Sequence, residues 1–176
     1  MNLSRNIFED YFNKKISYPT LENEIGINNA EFPVALHNEI KSTTEKQDSE
    51  MLEFLLYALI LWNEKNIEKA TALEYFSPIL NELIISEWHT QHENIVMLIQ
   101  QIGKEESVEY LNKAIYLQLE YLEWDDNYVF ECKCVRAIAR IGGPKAVNAL
   151  KAISEIDNHI IKKLATRKLT EITNQQ

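Results

Sequence analysis

The strongest pattern along the chain is a run of apolar positions that occurs twice, 39 residues apart. Ile95, Leu98, Ile99 and Ile102 precede Gly103, and Val108, Leu111 and Ala114 follow it. Cys134, Ala137, Ile138 and Ile141 precede Gly142 in the same way, and Val147, Leu150 and Ile153 follow. On each side of the glycine the apolar residues recur at three- and four-residue steps, which places them on one face of a helix. A register of this length within one chain marks stacked supersecondary units. The expected architecture is therefore all-α, an α-solenoid of antiparallel helix pairs: helices over 90–102 and 105–121 joined at Gly103, then helices over 127–141 and 144–154 joined at Gly142-Gly143-Pro144.

The remaining helices follow from the same spacing. Leu3, Ile7, Phe8, Tyr11 and Phe12 predict an amphipathic helix over 4–14. The pattern lapses over 16–32, where Pro19, Gly26 and Asn28-Asn29 suggest a long connector with room for a short helical turn. Pro33 suits a first helical turn, and Val34, Leu36 and Ile40 carry a helix to about residue 43. After a polar break, Asp48 or Ser49 caps a helix over 50–62 that is apolar almost all round, as a helix packed on more than one side must be. Residues 67–75 read as a short helix or turn. Ser77-Pro78 reads as a restart, with Ser77 capping and a helix over 78–85. Asp157 or Asn158 caps a last helix to residue 172. Its inner face carries Leu164, Ala165, Leu169 and Ile172, while Lys162, Lys163, Arg167 and Lys168 form the polar outer side that an end unit needs. One domain over 1–176 is expected, with N-terminal helices and a connector in 1–47 and repeats in 48–176.

The glycine turn followed by Pro144, Ala146, Ala149 and Leu150 resembles the start of a HEAT-type repeat helix. Residues 88–103 and 133–153 together resemble small stand-alone bacterial HEAT-repeat proteins, a resemblance that extends over 48–173. Lys104-Glu105-Glu106 departs from it, since a proline start is usual there. The resemblance implies a fold more strongly than a function. It includes immunity proteins that bind and neutralise a toxin, and this implies a non-enzymatic protein-binding module. It also includes enzymes or accessories, DNA glycosylases and bilin lyases, which stand as alternatives.

Composition agrees with helices, because four Gly and four Pro in 176 residues are too few for a turn-rich β fold. The net charge of −9 is unevenly distributed. Residues 1–132 carry 9 Lys and Arg against 24 Asp and Glu, and residues 133–176 carry 9 against 3. An acidic body repels phosphate backbones and attracts basic proteins. A basic protein partner is expected, which the resemblance implies to be a toxin, and nucleic acid is not. Glu9 and Asp10 stand where a signal peptide would be apolar, and no run of 18 apolar residues exists. A cytoplasmic protein without membrane contact is the expectation.

Candidate chemistry centres on Trp88-His89-Thr90-Gln91-His92-Glu93. His89 and His92 lie one helical turn apart with Glu93 beside them, a spacing able to hold Zn²⁺ if Asp125, Asp126 or Glu131 completes the set. That reading gives a metal-binding regulatory protein as a further alternative. The simpler role is capping and bonding to neighbouring backbone and carboxylates, so no metal and no cofactor are expected. Glu87-Trp88 recurs as Glu123-Trp124, 36 residues on. If the two linkers lie side by side, Trp88, His89, His92, Glu93, Trp124, Asp125, Asp126, Tyr128 and Glu131 form one acidic, aromatic partner-binding patch; the plainer role of each tryptophan is to plug a joint between repeats. Lys133, Arg136 and Arg140 line one helix face, as a solvated flank or as partners for glutamates of a neighbouring helix. Cys132 and Cys134, two positions apart, point to different faces and are expected to be reduced. No nucleophile elbow, phosphate loop or dinucleotide fingerprint is present, so no catalytic residue is assigned.

Overall fold

In a computed structural model that describes residues 1–66 and 70–174, every regular element is helical. No strand occurs among these residues, and no helix is long and apolar enough to cross a membrane. The chain divides into two compact units, Met1–Ala70 and Thr71–Gln176.

The first unit holds α1 (Arg5–Phe12), α2 (Tyr18–Ile25), α3 (Phe32–Lys46) and α4 (Ser49–Lys65). The expected connector over 16–32 contains α2. Ser17 accepts the Thr20 N–H, Pro19 sits in the first turn, and Gly26 closes the helix in the left-handed conformation. These are helix-boundary signals, but eight residues are too few for periodicity to reveal a helix. Asp48 caps α4 by accepting the Met51 N–H at 3.0 Å, and Arg5 pairs with the same carboxylate at 2.8 Å. Leu52, Leu55, Leu56, Ala58 and Leu59 of α4 are buried, and α4 packs against α3 and α1. Contacts therefore group α4 with the N-terminal helices, whereas the sequence placed residues 50–62 with the repeats.

α5 (Ala70–Leu73) begins at the boundary residue, and the second unit continues with a 3-10 turn over Glu74–Phe76, α6 (Ser77–Ile84), α7 (His92–Ile102), α8 (Ser107–Ala114), a 3-10 turn over Glu120–Leu122, α9 (Val129–Ile141), α10 (Gly143–Ile153) and α11 (His159–Thr173). Of the expected helix or turn over 67–75, residues 67–69 lie outside the described residues. Ser77 is the first residue of α6 rather than its cap. Asn158, not Asp157, caps α11 by accepting the N–H groups of Ile160 and Ile161.

α7 packs on α9 and α9 on α11, while α6 packs on α8 and α8 on α10. Ile102 and Ile141 are the last residues of α7 and α9, each followed by its glycine. Leu98, Ile99, Leu111, Ile138 and Leu150 are fully buried. Ile102 and Ile141 are only partly so, because each stands in the final turn beside the connection.

The two copies differ most in how they continue. α10 reaches α11 through residues 154–158, but α8 reaches α9 through residues 115–128. The helix expected over 105–121 stops at Ala114. Ile115 and Leu119 stay buried in the irregular segment, so the apolar spacing that suggested more helix is satisfied without it. A connection of this length is longer than most within a compact unit.

Candidate functional site

The site is organised by two buried imidazoles at the end of α6. His89 Nε2–H donates to the carbonyl of Leu83 at 2.9 Å, and His92 Nε2–H donates to that of Ser86 at 2.8 Å. His89 Nδ1 accepts the Gln91 N–H at 3.1 Å, and His92 Nδ1 accepts the Tyr121 hydroxyl at 2.9 Å. Each ring thus has one donor and one acceptor nitrogen in use, which is the neutral form. The rings lie 4.3 Å apart, with His89 2% and His92 0% exposed. Burial lowers both pKa values; His92 falls to about 4, with the adjacent His89 as the second cause.

The partners of the pair are therefore backbone and Tyr121, not the carboxylates of Asp125, Asp126 or Glu131. No ring nitrogen is left free for a metal, and no cluster of three metal-ligating side chains occurs among the described residues. Glu93 turns away from the pair and binds Lys133 at 2.5 Å, bridging α7 to α9. Arg136 and Arg140 are exposed.

The 115–128 connection supplies the other half of the site. Asp125 opens α9: its Oδ2 accepts the Val129 N–H at 2.7 Å and its Oδ1 the Asn127 N–H at 3.1 Å. Around this cap lies a groove of about 850 Å³. Leu119 and Phe130, both buried, contribute its apolar lining, and Tyr128 adds an aromatic ring. Glu120, Glu123, Asp125, Asp126 and Glu131 supply carboxylates, and no Lys or Arg lines it. Burial raises the pKa of Glu131, and the charge of Asp125 raises it further. Trp124 projects from the same connection and is 89% exposed.

A smaller pocket of about 380 Å³ adjoins it. Glu87, Trp88, His89 and Thr90 form one side, and Gln118, Leu119, Glu120 and Tyr121 form the other. Gln118, Leu119 and Glu120 line both cavities. Trp88 meets the ring of His89 edge to face at 4.9 Å, and Tyr121 stacks on His92 at 5.7 Å.

Of the residues singled out in the sequence, Asp125, Asp126, Tyr128 and Glu131 surround the larger groove, while Trp88 and His89 line the smaller pocket. His92 is buried behind Tyr121, and Glu93 is occupied by Lys133. The two Glu-Trp dipeptides are not equivalent: Trp88 is half-buried against His89, whereas Trp124 stands in solvent and plugs nothing. Their spacing of 36 against a repeat of 39 already separates them. Gln118, Leu119, Glu120 and Tyr121 are not legible as site residues in the sequence, because the apolar spacing over 105–121 is that of one continuous helix. The density of acids and aromatics over 120–128 was the available signal.

Cys132 and Cys134 are unbridged and buried. Burial raises both thiols, Cys134 well above its usual value, which keeps them protonated and poor nucleophiles. No family model, curated protein or solved structure matches the chain.

Proposed function

We propose that the protein is a non-enzymatic binding module that uses the groove beside the 115–128 connection to hold a basic protein partner. The observation that carries this reading is the groove itself, with five carboxylates, an apolar lining and no Lys or Arg. Clustered carboxylates raise the encounter rate with a cationic protein, and an exposed Trp124 beside them supplies short-range affinity. The neutral, fully bonded imidazoles and the protonated thiols offer no activated nucleophile or base, which also favours binding over catalysis.

We read α6–α11 as stacked HEAT-like helix pairs. The 39-residue register, the packing of α7 on α9 and the packing of α8 on α10 support that reading. The narrower form of the proposal is an immunity protein: a toxin whose basic cleft is covered by this groove is neutralised with no chemistry on this chain. It rests on the resemblance to small helical-repeat immunity proteins.

The test is capture of partners from host lysate by the wild type, by Trp124→Ala and by a Glu123→Lys, Asp126→Lys double variant. Glu123 and Asp126 are exposed and make no side-chain cap, unlike Asp125, so their reversal leaves α9 intact. A basic protein that is retained by the wild type, released by salt and lost from the double variant is expected. A partner held equally by all three proteins places the binding surface elsewhere.

A further inference from the structure

The smaller pocket differs in kind from the groove beside it. Its two aromatic residues, Trp88 and Tyr121, come from opposite sides, and each side also brings one carboxylate, Glu87 or Glu120. No Lys or Arg lines it. Aromatic faces attract cations through their ring quadrupole, and the attraction grows when the cation is partly desolvated.

The aromatic walls are also braced from behind. Trp88 rests on the His89 ring, and Tyr121 is stacked on His92 as well as bonded to it through its hydroxyl. His89 is in turn anchored to the carbonyl of Leu83 in the last turn of α6, and His92 to that of Ser86 just beyond it. A cavity with walls fixed before the ligand arrives loses little conformational entropy on binding. The Tyr121 hydroxyl, raised to about 12 chiefly by burial, stays a neutral donor to His92 across the physiological range.

We propose that this pocket holds one lysine side chain of the basic partner, its ammonium group in the space lined by Trp88, Tyr121, Glu87 and Glu120. This assignment rests on the reading of the neighbouring groove as a surface for a basic protein. A compact ammonium with three rotatable donors can serve two carboxylates that belong to separate segments. A guanidinium is better matched to one carboxylate taken in bidentate fashion. The shared wall of Gln118, Leu119 and Glu120 makes the pocket continuous with the groove, so one extended basic segment can fill both.

The probe is Nα-acetyl-lysine-N-methylamide, titrated into the full chain while the indole N–H resonance of Trp88 is followed. The neutral norleucine and the arginine analogues are run in parallel. The lysine probe should shift the Trp88 signal saturably, with a dissociation constant on the order of 1 mM for a ligand of this size. The norleucine probe should bind at least tenfold more weakly, the arginine probe more weakly than lysine, and Glu87→Gln, Glu120→Gln should weaken lysine at least fivefold. Both glutamates are exposed, so that variant keeps its fold. Equal binding of norleucine, tighter binding of arginine, or no saturable shift overturns the assignment. The two readings fail separately: loss of partner capture in Glu123→Lys, Asp126→Lys without a lysine-specific shift leaves the groove and removes the pocket, and the converse removes the groove.

Discussion

The hydroxyl of Tyr121 donates to Nδ1 of His92 at 2.9 Å, and through that bond the acidic connection between α8 and α9 is tied to the segment that follows α6. With Nε2–H given to Ser86, the neutral ring offers Nδ1 as the acceptor. Protonation would place a proton on Nδ1, turn this bond round so that the hydroxyl oxygen accepts, and put a charge in a buried site, which is why the ring resists it.

Acid should loosen the protein as the histidines of the unfolded chain take up protons that the folded chain refuses. In the unfolded chain His89 and His92 bind protons as pH falls through about 6.5. In the folded chain His92 resists protonation down to about 4, and His89 is lowered in the same direction. The unfolded state then binds more protons, so stability falls between pH 6.5 and 4, by about 2 kcal/mol for His92 alone at pH 5. His37, lowered by burial and by Lys41, adds to the same slope from the other unit. Denaturant midpoints at pH 7 and 5 should differ in the wild type and differ less in His92→Gln. Coincident midpoints in the wild type contradict the neutral pair.

Removing the Tyr121 hydroxyl leaves a buried acceptor on His92 without its donor. Tyr121→Phe should cost roughly 1–3 kcal/mol, the range for an orphaned buried polar atom. Amide exchange should accelerate over 117–122 while α9 stays protected by its Asp125 cap. Unchanged exchange in this segment would mean that the bond does not hold the connection.

Leu111 and Leu150 occupy matching positions of the repeat and are both fully buried. Leu111→Ala and Leu150→Ala should each cost on the order of 2–5 kcal/mol. A cost below about 1 kcal/mol at either position, read from equilibrium unfolding, contradicts its place in the core.

Gly103 and Gly142 match in sequence but not in conformation. Gly103 has φ 70° and ψ 22°, the left-handed helical region, whereas Gly142 has φ 72° and ψ −160°, a region almost confined to glycine. An added Cβ meets nothing within 4 Å at either site, so only the backbone distinguishes them. Gly103→Ala should cost about 1 kcal/mol, and Gly142→Ala roughly 2–3 kcal/mol. Equal costs would indicate that the two turns relax to one geometry.

The periodic parts of the chain were legible because burial and helical spacing coincide in them. Leu98 and Ile99 fall on the apolar face of one helix and Leu111 on that of the next, and all three are buried. The site was less legible, for two physical reasons. Ile115 and Leu119 keep helical spacing but are buried from an irregular segment, which hid the connection that shapes both cavities. His89 and His92 bond to the carbonyls of Leu83 and Ser86, and backbone acceptors leave no mark in the side-chain pattern. The spacing that looked able to hold a metal is what lets two rings reach two backbone carbonyls, Leu83 and Ser86, that are themselves three residues apart.

Whether a basic partner sits on the 115–131 surface is read from amide hydrogen exchange of the whole chain with and without the captured partner. Exchange should slow over 117–131 and over the 87–90 segment that lines the smaller pocket with it, with α10 and α11 unchanged. Protection confined to α10 and α11, or spread over the first unit while 117–131 exchanges as in the free protein, would contradict that placement.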